Sequence, residues 1–330
     1  MTGDGTSSHA ERSLLLVHGR DFKPAVETFT DLSMAALRAG VERDYPDQID
    51  TFDVMQKHVA WYGDLNADIL LACGKRYDEQ LDIGDRRNVL NTLREIRVRK
   101  RFGIRQYDLL PGKSAVSEAI ADIAAPLLGA IGLSVPLIGT LAKDFAKYFD
   151  RKSDYAIKVR ERLRTRLCEL LDRGDQIVLV SHGTGSVVAY DVLWQLSHDP
   201  DYRDDYAKKK VDMFLTLGAP LGDLHIHKRL LGAKNRLSSR FPTNIISWHN
   251  VSAEDDYTCH DNTLADDFKM MMQERVISAV HDYRIFNLAV RYGKSNPHSS
   301  IGYYIHPRVS KILVDWLSEP DIETVPKYTF

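Results

Sequence analysis

The stretch QIVLVSHGTGSVVAYDVL, from Gln176 to Leu193, constrains the fold more than any other part of the chain. Its opening run QIVLV is almost wholly apolar, which is typical of a strand buried on both faces of a parallel sheet. A glycine-rich turn at residues 183–185 follows, and the apolar side chains after it recur along one side of a predicted helix. The stretch therefore predicts a strand that passes through a sharp turn directly into a helix.

The rest of the chain alternates strand and helix patterns in the same way. Apolar runs predict five more strands, SLLLV, TFDVMQKHVAWYG, VDMFLTLGAPLG, TNIISWHNV and YRIFNLAV. Helices are predicted after Pro24, between Ser153 as N-cap and Gly174 as terminator, and over 307–317. This alternation predicts an α/β fold with a mostly parallel sheet, right-handed crossovers and helices on both faces.

Composition places the chain among ordinary globular proteins. Of its 330 residues 44% are hydrophobic and 27% are charged, and the net charge of −2 gives no field that would favour nucleic acid. Its three cysteines are far apart in sequence, which predicts neither a disulfide framework nor a zinc motif and favours a reducing, cytoplasmic location. We expect residues 1–11 to form a disordered polar tail and residues 12–330 to form one domain.

Residues 77–150 interrupt the alternation with a helical pattern and no clear strand. Within them, residues 123–142 carry no charge and are long enough to span a bilayer. Two prolines and three glycines break the run, and it lies between two parts of what we predict to be one site. We therefore expect a helical lid that can also contact a membrane surface. The basic run at 94–105 is interpreted as a solvated helix face.

The turn Ser181-His182-Gly183-Thr184-Gly185 resembles the nucleophile elbow of α/β-hydrolases of the esterase and lipase kind. In that family the nucleophile lies between small residues at a strand-to-helix turn, and here Gly183 occupies the nucleophile position. The resemblance covers about residues 12–317 apart from the insertion at 77–150, and it implies a single α/β-hydrolase domain with a lid.

The same resemblance assigns an oxyanion hole. In the family, a His-Gly pair after an early strand places a backbone N–H near the reacting carbonyl. His18 and Gly19 match that pair, which implies that the N–H groups of Arg20 and Thr184 form the oxyanion hole. His182, inside the elbow, is expected near the site.

The resemblance also assigns an acid and a base. Asp256 follows a strand after the elbow, where the family places its acid, and the adjacent Asp255 is the competing candidate. His298, in a late loop before the final helix, matches the family's histidine, whereas His306 resembles a helix-start residue. In the family a serine attacks the substrate carbonyl, the histidine accepts the serine proton, and the aspartate orients the imidazole.

Glycine cannot attack, and the nearby Ser181 and Ser186 are not natural substitutes. Three interpretations of Gly183 remain open: an engineered inactive protein, a non-catalytic protein that binds a ligand or partner, and direct activation of water or a substrate proton by His298. The parent activity is expected to be hydrolysis of an ester, thioester or amide of a small hydrophobic or acyl substrate. No cofactor is expected.

Two further stretches of the sequence contain residue types that bind metals. The sequence LHIH contains His225 and His227, which would share one side of a strand, and CHD covers 259–261. Neither has an established metal-site spacing, so we expect no metal.

Overall fold

The computed structural model describes residues 11–112, 143–259 and 263–319. Eight strands lie in these ranges: β1 (Arg12–Val17), β2 (Gln56–Ala60), β3 (Gln176–His182), β4 (Val211–Leu217), β5 (Ile245–Ala253), β6 (Ala279–Ile285), β7 (Val290–Arg291) and β8 (Lys294–Ser295). Six of them form one sheet in the order β2-β1-β3-β4-β5-β6, and every pair in it is parallel. The short β7 and β8 form a separate antiparallel pair. The predicted α/β class with a mostly parallel sheet is confirmed.

Fourteen α-helices lie in the described ranges. They are α1 (Val26–Asp44), α2 (Ile49–Val54), α3 (Gly63–Ala72), α4 (Glu79–Arg94), α5 (Ile104–Tyr107), α6 (Lys143–Tyr148), α7 (Asp154–Arg173), α8 (Gly185–His198), α9 (Arg203–Tyr206), α10 (Leu224–His227), α11 (Leu264–Asp267), α12 (Lys269–Gln273), α13 (Ser300–Tyr304) and α14 (Pro307–Leu317). Short 3-10 turns occur at Pro46–Gln48, Arg99–Arg101, Pro220–Gly222, Leu237–Arg240 and Tyr257–Cys259.

The sheet is covered on both faces. Successive side chains of a strand point to opposite faces. In β1, Leu14 and Leu16 pack in a cluster with residues of α1, α4 and α14, whereas Leu15 and Val17 pack in a second cluster with residues of α7 and α8. All four leucine and valine side chains are fully buried. The strands therefore need apolar residues on both sides, which explains the unbroken apolar runs in the sequence.

The strand order determines where a site can form. β2 lies on one side of β1 and β3 lies on the other, so the direction in which strands are added reverses at β1. At such a reversal the loops after the two neighbouring strands diverge and leave a crevice at the carboxyl edge of the sheet. Val17 pairs with Ser181 at the ends of β1 and β3. The loop that contains Gly19 therefore lies beside the turn that contains Gly183.

Local signals placed the helix ends correctly in two cases. The Ser153 side chain accepts a hydrogen bond from Ala156 N and caps α7, and Gly174 ends that helix with a φ of 77°. His306 caps α14, because its Nδ1 accepts the N–H of Arg308 at 3.0 Å. The predicted helices are confirmed at these positions.

Three predicted elements were wrong in their extent or type. The second predicted strand contains helix α2 in its first part, and only Gln56–Ala60 pairs with β1. The last strand begins four residues before Tyr283 and ends at Ile285, because its seven residues pair with Ser247–Ala253 of β5. The LHIH sequence forms the short helix α10 and not a strand.

The predicted helical insertion is seen only in part. Residues 77–112 and 143–150 contain helices and no strand, as predicted. The apolar run 123–142, and with it the predicted lid, lies outside the described residues, as does most of the predicted tail at 1–11. Among the helices of the described ranges, none has the length and apolar character needed to cross a membrane.

Close packing of α8 against β1 explains the small residue at the end of the elbow. A Cβ placed on Gly185 would lie 2.4 Å from the carbonyl oxygen of His18. Because that oxygen belongs to the backbone at the end of β1, neither partner can move without shifting the helix or the strand. Gly185 thus allows the helix to begin directly against the neighbouring loop.

We predict that Gly185→Ala destabilises the fold by about 1–3 kcal/mol, the usual effect of overpacking a rigid interior. The matched control is Gly84→Ala in α4, where an added Cβ meets nothing within 4 Å. That control should stabilise the protein by about 0.5–1 kcal/mol, because alanine favours a helix interior. Urea unfolding of both variants provides the measurement, and equal stabilities would contradict the packing described.

Candidate functional site

The elbow residue Gly183 adopts a left-handed backbone conformation. Its φ is 55°, a value that L side chains rarely adopt, and its N–H donates to Leu217 O at 2.9 Å. The two nearby serines are occupied elsewhere, because the Ser181 hydroxyl donates to the Ser186 hydroxyl at 2.9 Å and both residues are fully buried. Neither serine lines the cavity described below. The turn therefore presents a bare backbone where the family carries its nucleophile.

His298 lies directly over this bare backbone. A Cβ placed on Gly183 would lie 3.0 Å from His298 Nε2 and 3.1 Å from its Cε1. The loop that carries His298 is held by the buried Asn287, whose Nδ2 donates to Pro297 O at 2.8 Å and to Ser299 O at 2.9 Å. One amide thus clamps the backbone on both sides of His298. The imidazole is fixed with Nε2 toward the elbow.

The other ring nitrogen of His298 contacts Asp256. His298 Nδ1 lies 2.9 Å from Asp256 Oδ2, and the Asp256 side chain is only 1% exposed. The carboxylate also accepts the Tyr303 hydroxyl at 2.7 Å and the Thr258 N–H at 3.0 Å. Burial raises the pKa of Asp256, but His298 and these donors outweigh it, so the net shift is downward. Asp256 is therefore an ionised group that favours Nδ1–H on His298.

Two residues make room for this carboxylate and support it. A Cβ on Gly218, which follows β4 with a φ of 57°, would lie 2.8 Å from Asp256 Oδ2. Burial, and then the charge of Asp256, raise the pKa of Tyr303 well above its ordinary value. The phenol therefore stays protonated and donates to Asp256, while its oxygen accepts the Ala253 N–H at 2.8 Å.

The competing acid, Asp255, is turned away from His298. Its backbone has a φ of 59°, and its Oδ2 accepts the Tyr107 hydroxyl at 2.7 Å. The geometry thus brings Asp256, and not Asp255, to the histidine.

The loop after β1 reaches the elbow from the other side. His18 is buried, with Nδ1 2.8 Å from Gly19 O, and its Nε2 accepts the Tyr62 N–H at 2.9 Å. The Arg20 N–H donates to Thr184 Oγ1 at 2.8 Å, whereas the Thr184 N–H has no acceptor within the described ranges. Two N–H groups were assigned to the oxyanion hole. The Arg20 N–H is therefore engaged by a hydroxyl, whereas the Thr184 N–H, at the start of α8, makes no hydrogen bond among the described residues.

His182 packs against His298. Its ring centroid lies 4.6 Å from that of His298. Burial, and next the charge of His298, lower the pKa of His182 well below its ordinary value. His182 is therefore a neutral aromatic support for His298.

A cavity of about 910 Å³ opens over these groups. Its lining includes Gly19, Arg20, His182 and His298 at the elbow, together with residues of α4 and of the loops before it and after β6. Much of this lining is charged. The hydrophobic or acyl substrate expected from the sequence depends on the apolar run 123–142, which lies outside the described residues, and it stays a prediction.

Metal binding finds no support in the described ranges. No group of three or more histidine, cysteine or acidic side chains converges there. His227 instead stacks on Phe268, with ring centroids 4.9 Å apart, and Cys259 packs 3.7 Å from the Tyr303 hydroxyl. His260 and Asp261 of the CHD sequence lie outside the described residues.

Sequence reasoning missed several residues that build this site. Tyr303 and Asn287 act through long-range contacts that no local pattern reveals. Gly218 had a usable signal, because a glycine directly after a strand often marks a close approach. The charged lining of the cavity was not predicted either, because the sequence around α4 indicated only a helical pattern.

Comparison with known proteins gives no assignment. No protein-family model, no curated protein and no solved structure matches this chain.

We predict that Tyr303→Phe lowers the free energy of unfolding by about 1–3 kcal/mol, because it removes one of the donors to the buried Asp256 carboxylate and leaves the Ala253 N–H without its acceptor. Tyr202→Phe is the control, since the Tyr202 ring lies under Arg164 and its hydroxyl has no partner in the described ranges. Chemical denaturation of the two variants tests this. A Tyr303→Phe protein as stable as the control would show that Asp256 is not held as described.

Proposed function

We propose that this chain is an α/β-hydrolase-type enzyme for an ester, thioester or amide bond, in which Asp256 and His298 act on water instead of on a side-chain nucleophile. One observation carries the proposal: His298 contacts the buried Asp256 through Nδ1 and directs Nε2 to within 3.0 Å of the Cβ position of Gly183. A protein that only binds a ligand has no need of a histidine oriented in this way.

The reaction follows from these positions. Nε2 of His298 accepts a proton from water while the water oxygen attacks the substrate carbonyl carbon, and Asp256 stabilises the imidazolium that forms. The Thr184 N–H, at the start of α8, donates to the oxygen on which negative charge develops. The imidazolium then returns its proton to the leaving group as the carbonyl is restored.

The order of the groups along the chain supports the proposal. Gly183, Asp256 and His298 follow β3, β5 and β6, as nucleophile position, acid and histidine do in α/β-hydrolases. Gly19 follows β1, next to β3 in the sheet.

A non-catalytic binding protein is the second candidate, and one observation favours it. The Arg20 N–H already donates to Thr184 Oγ1, which leaves a single backbone donor for an oxyanion. In that case the cavity would hold a ligand without cleaving it.

We expect the native chain to hydrolyse an activated ester or thioester slowly, and His298→Ala to reduce that rate about 100- to 10,000-fold, the usual contribution of a positioned base. His281→Ala is the control, because His281 is exposed on β6 outside the cavity. Initial rates on a panel of p-nitrophenyl and thiocholine esters provide the measurement. If His298→Ala and the native chain have equal rates on every substrate, the binding protein is the better account.

We further expect Gly183→Ser to react covalently with a fluorophosphonate probe, because a serine hydroxyl would lie within reach of His298 Nε2. The variant should lose about 1 kcal/mol of stability, since serine must adopt a positive φ, and His298 must move by a few tenths of an ångström. Gly174→Ser is the matched control, because Gly174 also has a positive φ and open space around it.

Gly183→Ser combined with His298→Ala should lose the labelling. A folded Gly183→Ser protein that is labelled no faster than Gly174→Ser would mean that the elbow and the Asp256–His298 pair do not form a working site.

A further inference from the structure

The lining of the cavity is rich in charge. Six basic residues line the cavity, namely Arg20, Lys23, Lys75, Arg76, Arg86 and Arg291. Four acidic residues line it as well, namely Asp21, Asp78, Asp82 and Asp85. Which of the cations are already neutralised decides what kind of ligand the cavity can hold.

Two of the arginines, Arg86 and Arg291, form ion pairs with carboxylates of α4. Asp82, which is 2% exposed, accepts Arg86 Nε at 2.9 Å, the Tyr77 hydroxyl at 3.0 Å, and Arg291. Arg291 also lies 3.2 Å from Asp85. These ion pairs tie α4 to β7 and make the wall rigid. They leave no charge free for a ligand.

The charged side chains of the loop after β1 also contact groups of that same loop. The Lys23 ammonium group donates to backbone carbonyls of its own loop, at 3.3 Å for both Asp21 and Phe22. The Arg20 guanidinium lies 3.7 Å from Asp21. Burial raises the pKa of Asp21, but Arg20, Lys23, Lys75 and His298 act against it and the net shift is downward. Cations thus outweigh anions around this carboxylate.

Lys75 and Arg76 differ from the other cations. Both are exposed, and within the described ranges neither side chain makes a hydrogen bond or ion pair. Asp78, the acid nearest in sequence, is occupied because its side chain caps α4 by accepting the Leu81 N–H at 2.9 Å. Among the described residues, the cavity therefore carries two cations that make no hydrogen bond or ion pair.

A stacked pair of aromatic rings lies next to these cations. The Phe22 and Tyr77 rings stack with centroids 4.7 Å apart and an interplanar angle of 4°. Tyr77 directly follows Arg76 in sequence, and Phe22 belongs to the loop after β1, so the stack joins the cation-bearing loop to the elbow side of the cavity. The stack positions Lys75 and Arg76 at the cavity that contains His298.

We infer that the substrate carries an oxyanion group, a carboxylate or a phosphate, which Lys75 and Arg76 bind while its carbonyl lies at His298. Paired guanidinium and ammonium groups are suited to such a group, because each presents several N–H donors to its oxygens. This substrate class rests on the proposed function, whereas the binding of the anion does not require turnover.

The test compares alanine substitutions at two Lys-Arg pairs of the chain, one that lines the cavity and one that does not. Lys75→Ala/Arg76→Ala removes the cavity pair, and Lys100→Ala/Arg101→Ala removes an exposed Lys-Arg pair that lies outside the cavity. Phenyl phosphate is the probe, because it joins an oxyanion to a ring, and benzyl alcohol is its neutral counterpart. Binding to the full chain is measured by isothermal titration calorimetry, with thermal melting to show that each variant is folded.

We expect phenyl phosphate to bind the native chain, to bind more weakly at high salt, and to lose at least about 10-fold in affinity in Lys75→Ala/Arg76→Ala, which corresponds to about 1.4 kcal/mol. The Lys100→Ala/Arg101→Ala protein should bind within about 2-fold of the native chain, and benzyl alcohol should bind all three alike. Absence of phenyl phosphate binding to the native chain, or equal loss in both double variants, would overturn the inference.

Failure here is distinct from failure of the proposed function. If His298-dependent hydrolysis exists without phenyl phosphate binding, the enzyme acts on a substrate of another class. If the anion binds through Lys75 and Arg76 but no ester is cleaved, the anion site stands and the hydrolase proposal does not.

Discussion

The contact between the buried Asp256 carboxylate and His298 Nδ1 is the interaction on which the site depends. A carboxylate that is almost wholly removed from water is costly unless donors surround it, and here Tyr303, Thr258 and His298 supply them. The same contact determines which nitrogen of His298 faces Gly183. Gly218 and Asn287 serve this arrangement, one by leaving space for the acid and the other by clamping the histidine loop.

The sequence predicted those features that local chemistry determines. The apolar run of β3, the cap at Ser153 and the helix start at His306 each depend on neighbours within one element, and the structure agrees. The preference for Asp256 over Asp255 came from the resemblance and not from local chemistry, because adjacent carboxylates differ only in the direction of their side chains. In the structure Asp256 contacts His298, whereas Asp255, which has a positive φ, accepts the Tyr107 hydroxyl. Tyr303 could not be found, since its contact with Asp256 spans 47 residues.

Charge in the cavity changes how the chain is interpreted. The sequence suggested an apolar lid and a hydrophobic substrate, whereas the described wall is built from ion pairs around Asp82 and from the unpaired Lys75 and Arg76. Both features suit one substrate if its reacting group is attached to an oxyanion on one side and to an apolar part on the other. These charged residues belong to α4, the loop before it and β7, and none of them is part of the elbow.

The tautomer of His298 tests the central claim most directly. The account requires a proton on Nδ1 and a lone pair on Nε2, which nitrogen NMR of histidine-labelled protein distinguishes above about pH 8, where an ordinary imidazole is neutral. His298→Gln identifies the resonances. We predict the Nδ1–H form for His298 in the native chain and a loss of that preference in Asp256→Asn. A native His298 in the Nε2–H form, with the same spectrum in Asp256→Asn, would contradict the account.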